Sequence, residues 1–162
     1  MKYWKVVFIV IISFIVMLWF TRLILPSQVD DVNPLMGCSD EVLDLGDVYF
    51  VVPKFEGVEI SGDWCEGILG REKDLAMHGV YHTYEEFGVY RDEVYFEEGV
   101  RIFEECFGFS PERFKPPQLE WTSENDWIKD RTEVDLFWNQ LFHKVYHCGD
   151  TGVFPNWVVR VY

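Results

Sequence analysis

The sequence predicts an α/β domain with a mainly parallel sheet or an incomplete barrel, preceded by one N-terminal apolar helix. Short β-branched and aromatic runs alternate with helical patterns after position 26, which is typical of βαβ units. Positions 6–25 instead form an apolar run whose one charged residue is Arg22. A chain of 162 residues has room for one domain beyond that run, so we divide it into residues 1–25 and 26–162.

The N-terminal run is expected to be an uncleaved membrane anchor. Positions 6–20 contain no charge and no proline, and about 20 apolar residues cross a bilayer as a helix. The alternative is a cleaved signal peptide, whose apolar core is shorter and ends at small residues. Because Lys2 and Lys5 precede the run and the chain becomes acidic after it, the positive-inside rule predicts a single-pass protein with an extracytoplasmic domain.

The charge distribution limits the partners that the outer domain can have. All 28 acidic residues follow position 25, together with 11 of the 14 basic residues. Nucleic acid and anionic lipid headgroups would be repelled, so neither is expected as a partner. A solubilising surface explains the same charge equally well.

The four cysteines are Cys38, Cys65, Cys106 and Cys148. They contain no C-x-x-C pair, so a structural zinc knuckle is not expected. An extracytoplasmic domain permits disulfides, and four cysteines allow three pairings. Cys106 lies on the apolar side of a predicted helix, where a buried unpaired thiol is an alternative. The pairing therefore stays open.

The predicted elements follow one another in the chain as strands and helices. Strands are expected at 28–30, 47–53, 73–77 and 113–115. Helices are expected at 62–69, 94–107 and 123–129. Thr83 and Glu86, three residues apart, fit a helix capping box. Further strands are expected at 134–138, 141–146 and 157–161.

Two groups of polar residues stand where predicted strands end. Asp30 and Asp31 follow the first strand, and His78 and His82, four residues apart, follow the third. Functional groups gather at the carboxyl ends of parallel strands. Two histidines and one carboxylate are a common open metal site, and a second carboxylate beside them can serve as a base. A solvated turn is the alternative for the acidic pair.

Taken in order, the segments VDDV, VVPK, LAMHGVYHT, FKPP and HKVYHC resemble the polysaccharide deacetylase (NodB-homology) superfamily. The resemblance covers positions 28–162 and implies a distorted, incomplete (β/α) barrel with fewer than eight strands. It also implies a divalent metal cofactor, with Zn²⁺ as the expected ion, and a glycan or glycolipid as the substrate.

The resemblance assigns roles to individual residues. Asp31, His78 and His82 would be the metal ligands, and Asp30 would be the general base. A basic residue followed by prolines would line the substrate groove. These groove residues are Lys115, Pro116 and Pro117.

A late histidine would protonate the leaving amine in this family. We prefer His147 over His143 because it lies nearer the carboxyl end of its predicted strand, and Asp150 is a candidate to orient it. The chain departs from the family pattern in its first motif, which reads QVDDV instead of TFDDG, in its short length and in the lack of a matching Asp-Trp motif. Two further departures lie in the candidate site. Gly79 stands where Ser or Thr is usual, and Lys115 stands where Arg is usual, which removes a bidentate contact to a carboxylate.

These patterns together favour an enzyme that removes N-acyl groups, with N-acetyl as the expected one, from amino sugars of a cell-surface glycan or glycolipid. The alternative is a non-catalytic, membrane-tethered glycan-binding or structural domain with the same fold. A metal site without hydrolysis would favour that alternative.

Overall fold

The computed structural model of the protein describes residues 2–161. The chain begins with helix α1 (Lys2–Ile24). The segment Tyr3–Ile24 is long and apolar enough to cross a membrane, with a mean hydropathy of 2.6. A helix of this length and composition is found both in membrane anchors and in signal sequences.

The remaining elements are short. The strands are β1 (Gln28–Val32), β2 (Val48–Val51), β3 (Lys54–Phe55), β4 (Val58–Glu59), β5 (Asp74–His78), β6 (Arg113–Lys115), β7 (Glu133–Val134) and β8 (Val145–His147). The helices after α1 are α2 (Asp40–Leu43), α3 (Asp63–Leu69), α4 (Glu93–Phe107), α5 (Phe137–Phe142) and α6 (Asn156–Val161). Short 3₁₀ helices lie at Pro117–Leu119, Ser123–Asp130 and Cys148–Asp150.

Six of the strands form one sheet in the order β7-β6-β5-β2-β1-β8, and every pairing in it is parallel. The other two strands, β3 and β4, form a separate antiparallel hairpin. Apart from this hairpin, neighbours in the sheet are successive in the chain, and the last strand pairs with the first. This is the order of a (β/α) barrel opened between β7 and β8. The predicted α/β class with a parallel sheet is confirmed.

A buried ion pair shows that the sheet curves. Lys115 on β6 and Asp30 on β1 are three strand spacings apart, or about 14 Å in a flat sheet. Yet Lys115 Nζ lies 2.8 Å from Asp30 Oδ1 and 2.6 Å from Gln28 Oε1. Side chains stand roughly perpendicular to a sheet, so these groups meet only because the sheet folds toward their face. Phe50 lies on the same concave face, its ring centroid 3.9 Å from the ammonium.

The main hydrophobic core lies on the convex face, where helix α4 covers the sheet. Its residues Phe96 and Phe103 are buried together with Met77 of β5. The Asp92 side chain caps the helix by accepting a hydrogen bond from the backbone N–H of Tyr95. The helix ends at Phe107, and Gly108 after it has the left-handed conformation that is common at helix C-termini.

The C-terminal segment differs from the prediction. Strands are expected at 134–138, 141–146 and 157–161, but α5 and α6 are helices and β8 is reduced to Val145–His147. The chain must pass from β7 at one edge of the sheet to β8 at the other, and parallel strands need a crossover connection of this kind. Short aromatic and β-branched runs cannot be separated from helix segments by periodicity alone.

Two disulfides close the domain. Cys38 is bonded to Cys148, which joins the loop after β1 to the end of β8. Cys65 is bonded to Cys106, which joins α3 to α4. The alternative of an unpaired buried thiol at Cys106 is therefore wrong.

We expect the double variant Cys38→Ser/Cys148→Ser to lower the free energy of unfolding by about 4–5 kcal/mol, because it removes a long covalent loop from the unfolded chain. The variant Cys65→Ser/Cys106→Ser opens a shorter loop, 41 residues instead of 110, and should lose about 1 kcal/mol less. Urea denaturation of the full chain in detergent measures both. An unchanged midpoint in the first variant would contradict this account.

Candidate active site

The carboxyl end of β1 presents two adjacent carboxylates to one cavity. Regular alternation along a strand would send Asp30 and Asp31 to opposite faces. The register with β2 shifts between Val29 and Val32, and Asp31 has a left-handed backbone with φ 63°. Both carboxylates are therefore able to line the same cavity of about 320 Å³, and both are buried.

Asp31 meets both histidines of the predicted metal site. Its Oδ1 lies 3.2 Å from His78 Nε2 and 2.8 Å from His82 Nε2. The three candidate ligand atoms all lie within 4.8 Å of one another. Ligands at ~2.0–2.1 Å from one tetrahedral ion stand about 3.3 Å apart, so the observed contacts are close to those of a coordination shell. The group fits a divalent metal ion in geometry and in ligand chemistry.

The three side chains shift one another's pKa values. Burial raises the pKa of Asp31, but hydrogen bonds from His78 and His82 outweigh this effect and hold it well below its usual range. Burial lowers the pKa of His78, but its contact with Asp31 and the charge of Asp30 raise it above its ordinary value. A metal ion would compete with a proton for His78, so metal affinity is expected to fall as the pH is lowered.

Neighbouring groups hold two of the candidate ligands, His78 and Asp31, in place. His78 Nδ1 lies 3.0 Å from the carbonyl oxygen of Lys115, and donating a hydrogen bond there leaves Nε2 free as a ligand. Thr151 Oγ1 donates to Asp31 Oδ2 at 2.6 Å, which leaves Oδ1 facing the histidines. Sequence reasoning missed both partners, since each comes from a different segment of the chain.

Glu86 organises the loop that carries His82. It is fully buried, and its carboxylate accepts hydrogen bonds from the backbone N–H groups of Val80, Tyr81 and His82 at 2.9–3.0 Å. The Tyr95 hydroxyl donates a fourth hydrogen bond at 2.7 Å. Sequence reasoning missed this role, although Glu86, four residues after His82, was visible as part of the capping-box pattern.

The capping-box prediction at Thr83 and Glu86 is wrong. Residues 84–88 form turns instead of a helix. The Glu86 carboxylate accepts hydrogen bonds from the backbone N–H groups of residues 80–82. Gly79 makes room for it, because a Cβ there would lie 2.3 Å from Glu86 Oε2 and 2.6 Å from Pro117 Cγ. A larger side chain at position 79 is thus excluded by the Glu86 carboxylate and the Pro117 ring.

Lys115 is fully buried at the wall of the cavity, and its ammonium donates a hydrogen bond to Asp30 Oδ1. Burial lowers the pKa of Lys115, and the negative charge of Asp30 opposes this shift. The two prolines that follow Lys115 have different surroundings. Pro116 lines the cavity, whereas Pro117 is buried against Gly79.

His147 reaches the cavity from β8. Its Nε2 lies 3.8 Å from Asp30 Oδ2. Its ring packs on Gly152, where a Cβ would lie 2.4 Å from Nδ1, and Nδ1 is buried without a hydrogen-bond partner in residues 2–161. Asp150 does not orient this ring, because its Oδ1 accepts a hydrogen bond from the backbone N–H of Asn156.

His143 lies at the other end of β8. Its Nδ1 is 2.8 Å from the carbonyl oxygen of Pro26, and it does not line the cavity. Of the two late histidines, the structure therefore brings His147 to Asp30 and Asp31.

No protein-family model and no curated protein matches the sequence. Among solved structures, the chain is similar to the peptidoglycan deacetylase PdaC from Bacillus subtilis, with 18% sequence identity and a TM-score of 0.47. The similarity covers 68% of this chain and 57% of that chain, so the protein spans somewhat more than half the length of that structure. A similarity at this level does not indicate an activity. The evidence for an activity is the arrangement of side chains in the cavity.

We expect the full-length chain, purified in detergent, to hold about one divalent metal ion per molecule. His78→Ala and His82→Ala should each lose it, because each removes one of three ligands. His143→Ala is the matched control and should keep the ion, since its ring is bonded to Pro26 outside the cavity. Elemental analysis measures the content, and equal metal in all three variants would place the ligands elsewhere.

Glu86→Gln should weaken metal binding by about 10–100-fold, the usual effect of losing an outer partner of the ligands. The glutamine oxygen can replace one carboxylate oxygen, but its NH₂ group would then face the N–H donor of His82. Tyr95→Phe removes only the hydroxyl contact and should weaken binding less. Chelator competition measures affinity, alongside thermal unfolding. Equal affinity in both variants would limit Glu86 to a role in stability.

Proposed function

We propose that the protein is a metal-dependent carbohydrate deacetylase that hydrolyses N-acyl groups, N-acetyl above all, on amino sugars. One observation carries the proposal. A two-histidine, one-carboxylate group, a second buried carboxylate and a further histidine line the same cavity. Three protein ligands leave a position open for water or substrate, and the other two groups can transfer protons.

Asp31, His78 and His82 would hold the ion, with Zn²⁺ proposed because it accepts this mixed nitrogen and oxygen set. A divalent ion held by these residues would supply a more acidic bound water and a Lewis acid for the amide carbonyl. The protein's own groups then account for the proton transfers that amide hydrolysis needs.

Asp30 would accept the proton of the attacking water. Its two oxygens have different surroundings, because Oδ1 is bonded to Lys115 Nζ while Oδ2 faces His147. Oδ2 is therefore the basic atom in this proposal. The buried ammonium compensates the charge of the buried carboxylate, which would otherwise be costly to keep out of water.

His147 would donate a proton to the departing amine nitrogen, which is too basic to leave as an anion. The 3.8 Å between its Nε2 and Asp30 Oδ2 is longer than a hydrogen bond. The two groups are therefore not bonded to each other, and a substrate amide lying beside the pair, in the cavity, can contact both. Gly152 supports this arrangement, since any side chain at that position would displace the ring.

We further propose that the chain is a divergent branch of the polysaccharide deacetylase superfamily, anchored in the cell membrane by α1 with its domain outside. The order of the sequence motifs supports the family. The apolar length of α1 supports the anchor. The two disulfides support an extracytoplasmic location, because disulfides persist in oxidising compartments.

Asp30→Asn should lower the release of acetate from N-acetylated chito-oligosaccharides by ~10²–10⁴, the usual range for loss of a general base, with metal content retained. This variant also leaves the Lys115 ammonium without its counter-charge. Asp30→Asn/Lys115→Met removes both charges and keeps loss of the base distinct from loss of stability. Lys115→Met alone is the control.

Turnover of Asp30→Asn at the wild-type rate would show that Asp30 is not the base. Metal-loaded wild-type protein that hydrolyses no N-acyl glycan would instead favour the non-catalytic glycan-binding domain.

A further inference from the structure

Exposed apolar side chains are concentrated in the C-terminal segment of the domain. Phe137 and Trp138 of α5 are 60% and 67% exposed, and Trp157 of α6 is 72% exposed. Between the two helices, Val153 and Phe154 are 91% and 64% exposed. Large apolar groups left in water along one segment indicate a surface that is covered in the functional state.

This segment lies against the C-terminal part of α1. Helices α1 and α5 pack together, and Leu18 of α1 is buried although the rest of that helix is almost wholly exposed. Arg22 Nε donates a hydrogen bond to the carbonyl oxygen of His143, directly after α5. Lys144 Nζ donates to the carbonyl oxygen of Arg160 in α6. Helix α5 is thus tied directly to the end of the helix that can cross a membrane, and α6 is linked to the residue after His143 through Lys144.

The C-terminal segment also differs from the rest of the domain in its charge. Positions 136–162 contain one acidic residue, Asp150, and two basic residues, Lys144 and Arg160. The other 27 acidic residues lie before position 136. Repulsion from lipid phosphates therefore affects the other surfaces of the domain, and this one can approach a bilayer. Tryptophan also favours the membrane–water interface, where its ring is buried and its N–H stays hydrated.

The segment also forms one wall of the candidate active site. Gln140 of α5 lines the cavity, as do Thr151, Gly152 and the highly exposed Val153. The cavity is therefore bounded by residues from the same stretch of chain that presents the exposed aromatic groups. A sugar bound in it would lie beside that surface.

We propose that α5, α6 and residues 151–155 form a membrane-contact surface, and that the substrate is the N-acylated amino-sugar headgroup of a membrane lipid. This inference rests on the proposed deacetylase function and adds the substrate class. Trp138 and Trp157 lie at the depth of the headgroups, and the sugar enters the cavity from the lipid side. The surface and the anchor together hold the cavity at the membrane.

The contact surface is tested with the full-length chain in phosphatidylcholine nanodiscs. The photoreactive residue p-benzoylphenylalanine replaces Trp138 or Trp157, and replaces Val94 as a control. Val94 is 78% exposed but lies on α4, which packs on β5. Irradiation should attach lipid at positions 138 and 157 and not at 94, as seen by mass spectrometry. Equal labelling at 94, no lipid at 138 and 157, or cross-links between two copies of the chain would overturn the proposal.

The substrate class is tested with the variant Trp138→Ala/Trp157→Ala. Its deacetylation of a synthetic N-acetylglucosaminyl lipid in the same nanodiscs should fall by about tenfold, which corresponds to 1.4 kcal/mol. Its activity on soluble N-acetylated chito-oligosaccharides should not change. An equal loss on both substrates would overturn the lipid-headgroup assignment. Lipid labelling without hydrolysis of either substrate by the wild type would overturn the deacetylase function and keep the contact surface.

Discussion

The buried ion pair between Lys115 and Asp30 links the curvature of the sheet to the chemistry of the cavity. Both residues are almost completely shielded from water, and their charged atoms are 2.8 Å apart. Removing one partner of such a pair typically costs about 3–5 kcal/mol, because the other charge stays buried alone. The pair therefore constrains β6 and β1, three strands apart, to face one another. Gln28 and the ring of Phe50 complete the surroundings of the ammonium.

The same constraint separates the roles of the two adjacent carboxylates. Lys115 occupies one oxygen of Asp30 and leaves the other toward His147. Asp31 reaches the cavity only because its backbone is left-handed at the register shift in β1. The Asp31 carboxylate thereby faces His78 and His82, and the Asp30 carboxylate faces His147. Strained backbone of this kind is common where a site over-determines its geometry.

Sequence reasoning succeeded where a local pattern determines the position of a group. The placement of Asp31, His78 and His82 follows from strands that end at one edge of a parallel sheet, so their proximity was predictable. The direction of the Lys115 ammonium was not, because it depends on how far the sheet curves. Glu86 and Thr151 act on the site from loops whose path is set by contacts with distant segments. The sequence of neither loop contains a pattern that predicts such contacts.

The errors at the C-terminus have a similar cause. Runs of aromatic and β-branched residues suit a strand, but the chain between β7 and β8 has to cross from one edge of the sheet to the other. That requirement comes from the strand order, which is known only after the fold is complete. The exposed tryptophans of α5 and α6 belong to the same segment, and the strand assignment did not reveal that α5 packs against α1.

The most direct test of the account is anomalous diffraction from crystals of the full-length protein grown with Zn²⁺. We predict one strong anomalous peak in the cavity, about 2.0–2.2 Å from Asp31 Oδ1 and from the Nε2 atoms of His78 and His82. Zinc bound at other residues, or a cavity without an anomalous peak at saturating zinc, would contradict the central claim that these three side chains form a metal site.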